Sequence, residues 1–181
     1  MLWLAGAASG NAGDVSETLA ACLGCHGPNG QSQIENVPSI AAQVPAYALI
    51  QLVMFRDKLR ASDTMNDAAR DLSDSDIQSL ADALAVLPPL KPLQDPVDQA
   101  RFERGRSLAQ QNHCDICHRP DFSGQQTVPR LADQREDYLV KTLREYKSGA
   151  RRAYEPIMLE QVQPLDDPQL AEVSYYLAHI R

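Results

Sequence analysis

A chain of 181 residues with 44% hydrophobic side chains holds enough apolar surface for a packed core, which excludes general disorder. Its net charge of −7, from 24 acidic against 17 basic residues, lacks the basic excess of a nucleic-acid binder, so none is expected as a partner. No apolar run in it reaches the roughly 18 residues of a membrane span.

In chain order, Met1 to Ala8 is apolar and contains Ala5-Gly6-Ala7 but has no basic start. It reads either as the tail of an export signal or as an ordinary N-terminus. Asp14 and Glu17 are spaced like a capping box, predicting a helix to Ala21 that runs into Cys22-Leu23-Gly24-Cys25-His26. After Val37-Pro38-Ser39-Ile40-Ala41, a helix led by Tyr47 is predicted to Arg60, with Met65 on an irregular stretch from Ala61 to Asn66. Ser73 and Asp76 predict the cap of a helix to Leu87, with Ile77, Leu80, Leu84 and Leu87 on one face. Four prolines between Pro88 and Pro96 then exclude a helix or a central strand and favour an extended linker.

Beyond the linker the order begins again. Cys114-Asp115-Ile116-Cys117-His118 lies 92 residues after the first motif, and Val128-Pro129-Arg130-Leu131-Ala132 lies 91 after its counterpart. Gln134 answers Gln43, Tyr138 answers Tyr47, and the second Tyr-led helix runs towards Arg151. Met158 and Leu165 answer Met65 and Leu72 at an offset of 93, with Met158 on an irregular stretch from Arg152. Asp167-Pro168 predicts the cap of a last helix through Leu170, Val173 and Leu177. Gly13 and Gly105 each stand nine residues before their first cysteine, where close helix contact selects glycine. With no strand-period alternation, the fold expected is all-α, in two domains over 1–89 and 97–181. Such small domains, with aromatics at only 6%, are short of core anchors and gain from a bound cofactor.

Both pentapeptides are C-x-x-C-H, and the four cysteines are used nowhere else. About 0.002 chance matches are expected from this composition, so two are not accidental. Two thiols three positions apart on a turn add across the two vinyl groups of one haem, and the next residue, His26 or His118, then lies under the iron. A thioredoxin-like pair needs no such histidine, and a zinc site sharing the two Cys₂His sets is the other alternative. The expectation is two covalently attached haem c groups.

The opposite face of each iron decides between carrier and enzyme. A thioether favours the ferrous state and blocks external ligands. Met65 and Met158 share one repeat position, seven residues before a leucine, whereas Met54 is answered by Glu145 and reads as packing. His113 and His179 are the alternative distal ligands but read as surface or cap residues. Tyr47, Tyr138, Arg60 and Arg151 recur by repeat and are candidates for hydrogen bonds to haem propionates, or for helix-surface packing.

With these motifs in place, nearly the whole chain, from about Gly13 to Ile180, resembles the tandem dihaem cytochromes of the cytochrome c4 family. The dihaem subunit of flavocytochrome c sulfide dehydrogenase shares the layout. The resemblance implies two class I cytochrome c domains related by a pseudo-twofold axis. It also implies that Pro38 and Pro129 offer the carbonyls that accept the proximal imidazole N–H. Met65 before Leu72-Ser73-Asp74 matches the family's distal methionine pattern; Met158 before Leu165-Asp166-Asp167 matches it without the serine.

The function expected is a periplasmic carrier that passes single electrons between redox partners, for example to a terminal oxidase. Its acidic surface favours partners with basic docking patches. The alternatives are the cytochrome subunit of a dehydrogenase complex, and a catalytic dihaem enzyme such as a peroxidase or thiosulfate-oxidising protein. Periplasmic location follows from where haem is attached to C-x-x-C-H, outside the inner membrane.

Overall fold

Each half of the chain closes on itself around its last long helix, against which two other helices pack, and the two halves meet through loops and polar side chains. The computed structural model describes residues 12–91, 96–151 and 156–180, with side chains from residue 15 of the first helix onward. Met1 to Ala8 and residues 92–95 of the Pro88–Pro96 run lie outside the described residues.

In the first half, α1 (Ala12–His26) packs on α4 (Asp74–Ala85), and α4 on α2 (Pro45–Arg56), which also meets the short α3 (Asp63–Ala69). Ile77, Leu80, Ala81 and Leu84 form the buried stripe of α4, and Ala48, Leu19 and Leu87 close around it. Such an i, i+3, i+4, i+7 stripe buries one helix face against the others. Ser73 caps α4 as expected: its Oγ accepts from the Asp76 N–H, and Asp76 accepts from the Ser73 N–H at 2.9 Å.

In the second half, α5 (Gln99–Gln111) packs along α9 (Asp167–Ala178), and α9 on α7 (Glu136–Lys147). Two five-residue helices, α6 (Cys114–His118) and α8 (Ile157–Gln161), complete it. Leu170, Val173 and Leu177 are buried, with Ala109, Phe122, Ala132 and Leu139 around the last two. Helix–helix packing among the described residues stays within each half, and no strand occurs there beyond one isolated bridge between Gln125 and Val128. The all-α reading holds.

Four local expectations are corrected. Helix α1 already begins at Ala12, so Asp14 lies inside it and is not its cap. The N-cap of α9 is Asp166 instead of Asp167, because the box needs a partner at the third position and Gln169, not Leu170, can supply it. The Tyr-led helices stop at Arg56 and Lys147, leaving Arg60 and Arg151 on the turns that follow. Met65 and Met158 sit on the short helices α3 and α8, not on irregular chain. Asn66 explains the first case, since its side chain holds Ser62 N–H, Phe55 C=O and Arg60 C=O and so winds the segment around it.

Gly105 meets its expectation. A Cβ there would collide with the Glu172 carbonyl and stand 2.7 Å from Tyr176 Cβ, so α5 and α9 approach through the missing side chain. Around that crossing Tyr176 makes edge contacts with Phe102 and Phe122, at 5.0 and 5.7 Å between ring centres. The matching expectation at Gly13 falls where only backbone is described. Gly105→Ala should therefore force the helices apart at a cost of about 1–3 kcal/mol. A lower urea midpoint with an unchanged slope is the expected result.

Candidate haem site and domain interface

Cys22 and Cys25 lie in the last turns of α1, and Cys114 and Cys117 in α6. The helical spacing brings each pair to one side of its turn with the histidine directly behind. In the second half His113 enters the left-handed region (φ 55°) and separates α5 from α6, whereas α1 runs through its motif unbroken. No disulfide joins any of the four cysteines. Burial pushes the Cys22 thiol up, and the Cys114 thiol to about 11 with Asp115 adding to the effect. Neither is poised as a thiolate for redox exchange. Among the described residues no three His, Cys, Asp or Glu side chains gather as a metal-binding cluster.

His26 and His118 are both buried. Their Nδ1 atoms lie 2.8 Å from the Pro38 carbonyl and 3.0 Å from the Pro129 carbonyl. A carbonyl only accepts, so Nδ1 carries the proton and the Nε2 lone pair is left for a ligand. Burial lowers both imidazole pKa values and outweighs the carbonyl bond, which raises them, so each ring is neutral and suited to iron.

The proline is held in place by the same clamp in both halves. Gly30 C=O accepts from Ile40 N–H and Ala41 N–H, and Phe122 C=O accepts from Leu131 N–H and Ala132 N–H. One residue on, Ala42 N–H donates to Leu84 C=O and Asp133 N–H to Leu177 C=O, tying each loop to its last helix. Gly30 adopts φ +73° and its equivalent Phe122 φ +52°, so the first half uses glycine where the second strains a larger residue.

The two halves meet through exchanged pairs. Gln43 donates to Arg130 C=O and accepts from Arg130 N–H, while Gln134 donates to Ser39 C=O and accepts from Ser39 N–H. Arg60 donates to Tyr138 OH across the interface at 3.1 Å, and Arg151 returns to Tyr47 OH at 3.0 Å. Arg60 lies over the Phe55 ring and Arg151 over the equivalent Tyr146 ring. Sequence reasoning found these residues by repeat but not that each reaches into the other half.

Arg151 is only 4% exposed, yet its side-chain partners are Tyr47, Gln51 and Thr142, and no carboxylate pairs with it or with Arg60 among the described residues. Burial raises the Tyr138 phenol pKa, but the charges of Arg60 and Arg151 outweigh it and bring the group down. Two guanidiniums in this setting call for an anion. The donor set thus fits haem: paired thiols, a neutral imidazole with a free Nε2, and buried positive charge for carboxylates.

Met65 and Met158 are half-buried, the latter against Tyr146, Val162, Leu165 and Leu170. Met54 is buried on α2 with its sulfur 3.9 Å from Gln51 Nε2. His179 is buried as the C-cap of α9, stacked on Tyr175 and bonded through Nδ1 to the Tyr175 carbonyl. His113 is exposed at its left-handed turn, as a surface residue.

Fold and paired motifs together define a dihaem c-type cytochrome of two class I domains. The Cytochrome c family matches residues 102–181. Cytochrome c4 of Thiocapsa roseopersicina is 34% identical over 168 residues, covering 86% of this chain and 85% of that protein. The thiosulfate dehydrogenase electron acceptor of Thiomonas intermedia is 29% identical over 88% of this chain and 78% of its own length. The crystal structure of reduced recombinant cytochrome c4 from Pseudomonas stutzeri superposes with a TM-score of 0.84 over 96% of this chain and 100% of that one; at 24% identity this is a likeness of fold alone.

The chain belongs to the cytochrome c4 family. It is an electron-transfer protein, not an enzyme, and it carries two covalently bound haem c groups. Mass spectrometry of the denatured holoprotein should give the chain plus two haems. A Cys114→Ala/Cys117→Ala double variant should retain one.

Proposed function

We propose that this chain is a periplasmic one-electron relay whose two iron sites are His26/Met65 and His118/Met158. Cys22 and Cys25 hold one haem by thioether bonds, and Cys114 and Cys117 the other. The domains are assigned to 1–89 and 97–181, with the proline run between them. The observation that carries the reading is that both halves fix the histidine of C-x-x-C-H by the same bond to a proline carbonyl.

The bound haems supply a ferric/ferrous couple. The protein holds each imidazole neutral and oriented, so oxidation needs little movement of the ring. Met65 and Met158 offer thioethers that raise the potential and occupy the position an oxygen or peroxide would take. Arg60 and Arg151, turned into the interface, supply positive charge for propionates. Arg151 is buried between the halves and Arg60 half-buried, which reduces the screening of that charge by solvent.

The acidic chain suits partners with basic patches, whose docking weakens as salt rises. The named role of the Thiomonas intermedia relative, an electron acceptor of thiosulfate dehydrogenase, supports a second form of the reading: acceptor to a dehydrogenase, bound or diffusing.

The methionines provide the test. Met65→Ala and Met158→Ala should each turn one haem high-spin and open it to carbon monoxide, with loss of half the weak sulfur-to-iron band at the red end of the ferric spectrum. Met54→Ala should leave both haems low-spin and cost about 2–5 kcal/mol of stability through its cavity. An undiminished band in the first two variants would show that the distal ligands lie elsewhere.

A further inference from the structure

The peptide unit that joins Pro38 to Ser39 is used at both ends. Its carbonyl oxygen accepts from His26 Nδ1 at 2.8 Å, and its N–H donates to Gln134 Oε1 of the opposite half at 2.8 Å. The Pro129–Arg130 peptide repeats this: its carbonyl accepts from His118 Nδ1 at 3.0 Å and its N–H donates to Gln43 Oε1 at 2.7 Å. Each amide is fixed in orientation. Oε1 also accepts from the next backbone N–H of its own chain segment, Val44 or Arg135, and Nε2 donates to the Arg130 or Ser39 carbonyl. Gln134 is 5% exposed, so water does not compete for its bonds, and Gln43 is half-buried.

We propose that Gln43 and Gln134 are positioning residues that act in the crossed sense, each setting the potential of the haem held by the other half. The inference rests on His26 and His118 being the proximal iron ligands. An amide oxygen drawing on the Ser39 N–H polarises that peptide and makes the Pro38 oxygen a stronger acceptor, because consecutive hydrogen bonds reinforce one another. A stronger acceptor draws the Nδ1 proton, gives the ring more imidazolate character, and strengthens its donation to ferric iron. Each Gln therefore lowers the potential across the interface. The chain of bonds is imidazole, one peptide, one amide, and nothing longer.

The holoprotein and its Gln43→Met, Gln134→Met and Gln134→Glu variants are titrated with mediators while the haem methyl signals are followed by NMR. Each haem is assigned through its thioether links, Cys22/Cys25 or Cys114/Cys117. Gln134→Met should raise the midpoint of the Cys22/Cys25 haem and leave the other in place; Gln43→Met should do the reverse. Gln134→Glu keeps an acceptor for Ser39 N–H and makes it anionic, so it should lower the same midpoint that Met raises. That opposition of sign is not expected from mere loosening of the interface, and the Glu variant carries the test if a Met variant does not fold. A shift in the haem of the substituted residue's own half, equal shifts in both, or no shift would overturn the proposal. Strongly shifted His26 and His118 ring signals in the unsubstituted ferric protein test the ligand assignment separately.

Discussion

The ring nitrogen of His26 reaches the Pro38 carbonyl only because the eleven residues between them fold back on the end of α1. In the second half ten residues do the same between His118 and Pro129. Much of the loop geometry serves this return. The Gly30 and Phe122 carbonyls gather the chain just past each proline, and Ala42 and Asp133 fasten it to α4 and α9. Those helices are in turn fixed by their buried leucines and their capping boxes. A neutral, immobile imidazole is thus the product of the whole half-domain, and the fold can be read backwards from it.

The contact between the halves follows a different physics. Helix faces are spent inside each half, so the described interface contacts are polar: amides, phenols, guanidiniums and the Asp137 carboxylate, which accepts from Asn36 N–H. Removing such groups from water is favourable only when their partners are in place, which makes a polar interface demanding about register. Here the demand is met twice by the same residues, related by the repeat. Gln43 and Gln134 each satisfy both the N–H and the C=O of one opposing residue, and Arg60 and Arg151 each reach one opposing tyrosine. Displacing one half by a single residue would leave buried amide and guanidinium groups unpaired.

Much of this was legible in the chain. The C-x-x-C-H pairs, the proline after each, the α4 cap at Ser73 and the stripes of α4 and α9 are local signals, and local signals are what a sequence carries openly. Boundaries were less legible. Asp166 and Asp167 are both good caps, and only the reach of Gln169 decides between them. The chain around Met65 reads as irregular because the winding of α3 depends on Asn66 bonding back to Phe55 and Arg60. The crossed contacts were invisible for a deeper reason. A repeat shows which residues are equivalent, but an isologous arrangement sends each of them to its counterpart's half, and equivalence alone does not distinguish that from two closed, independent domains.

The halves differ on both sides of the C-x-x-C-H motif. The motif offset of 92 shortens to 91 by the proline because the first loop is one residue longer, and just before the second motif the chain turns left-handed at His113 and splits the helix that α1 keeps whole. The loops differ by one residue and by a glycine exchanged for Phe122, yet the carbonyl clamp, the imidazole bond and the glutamine bridge survive in both. Helix continuity is therefore the tolerant part of this architecture, and the hydrogen-bonded frame around the imidazole is the strict part. That order suits a carrier of single electrons. Where no substrate has to be bound or turned over, the protein's task is to keep the coordinating groups still between the two charge states. A frame of short, buried, mutually oriented hydrogen bonds does this whether or not the helix behind it is broken.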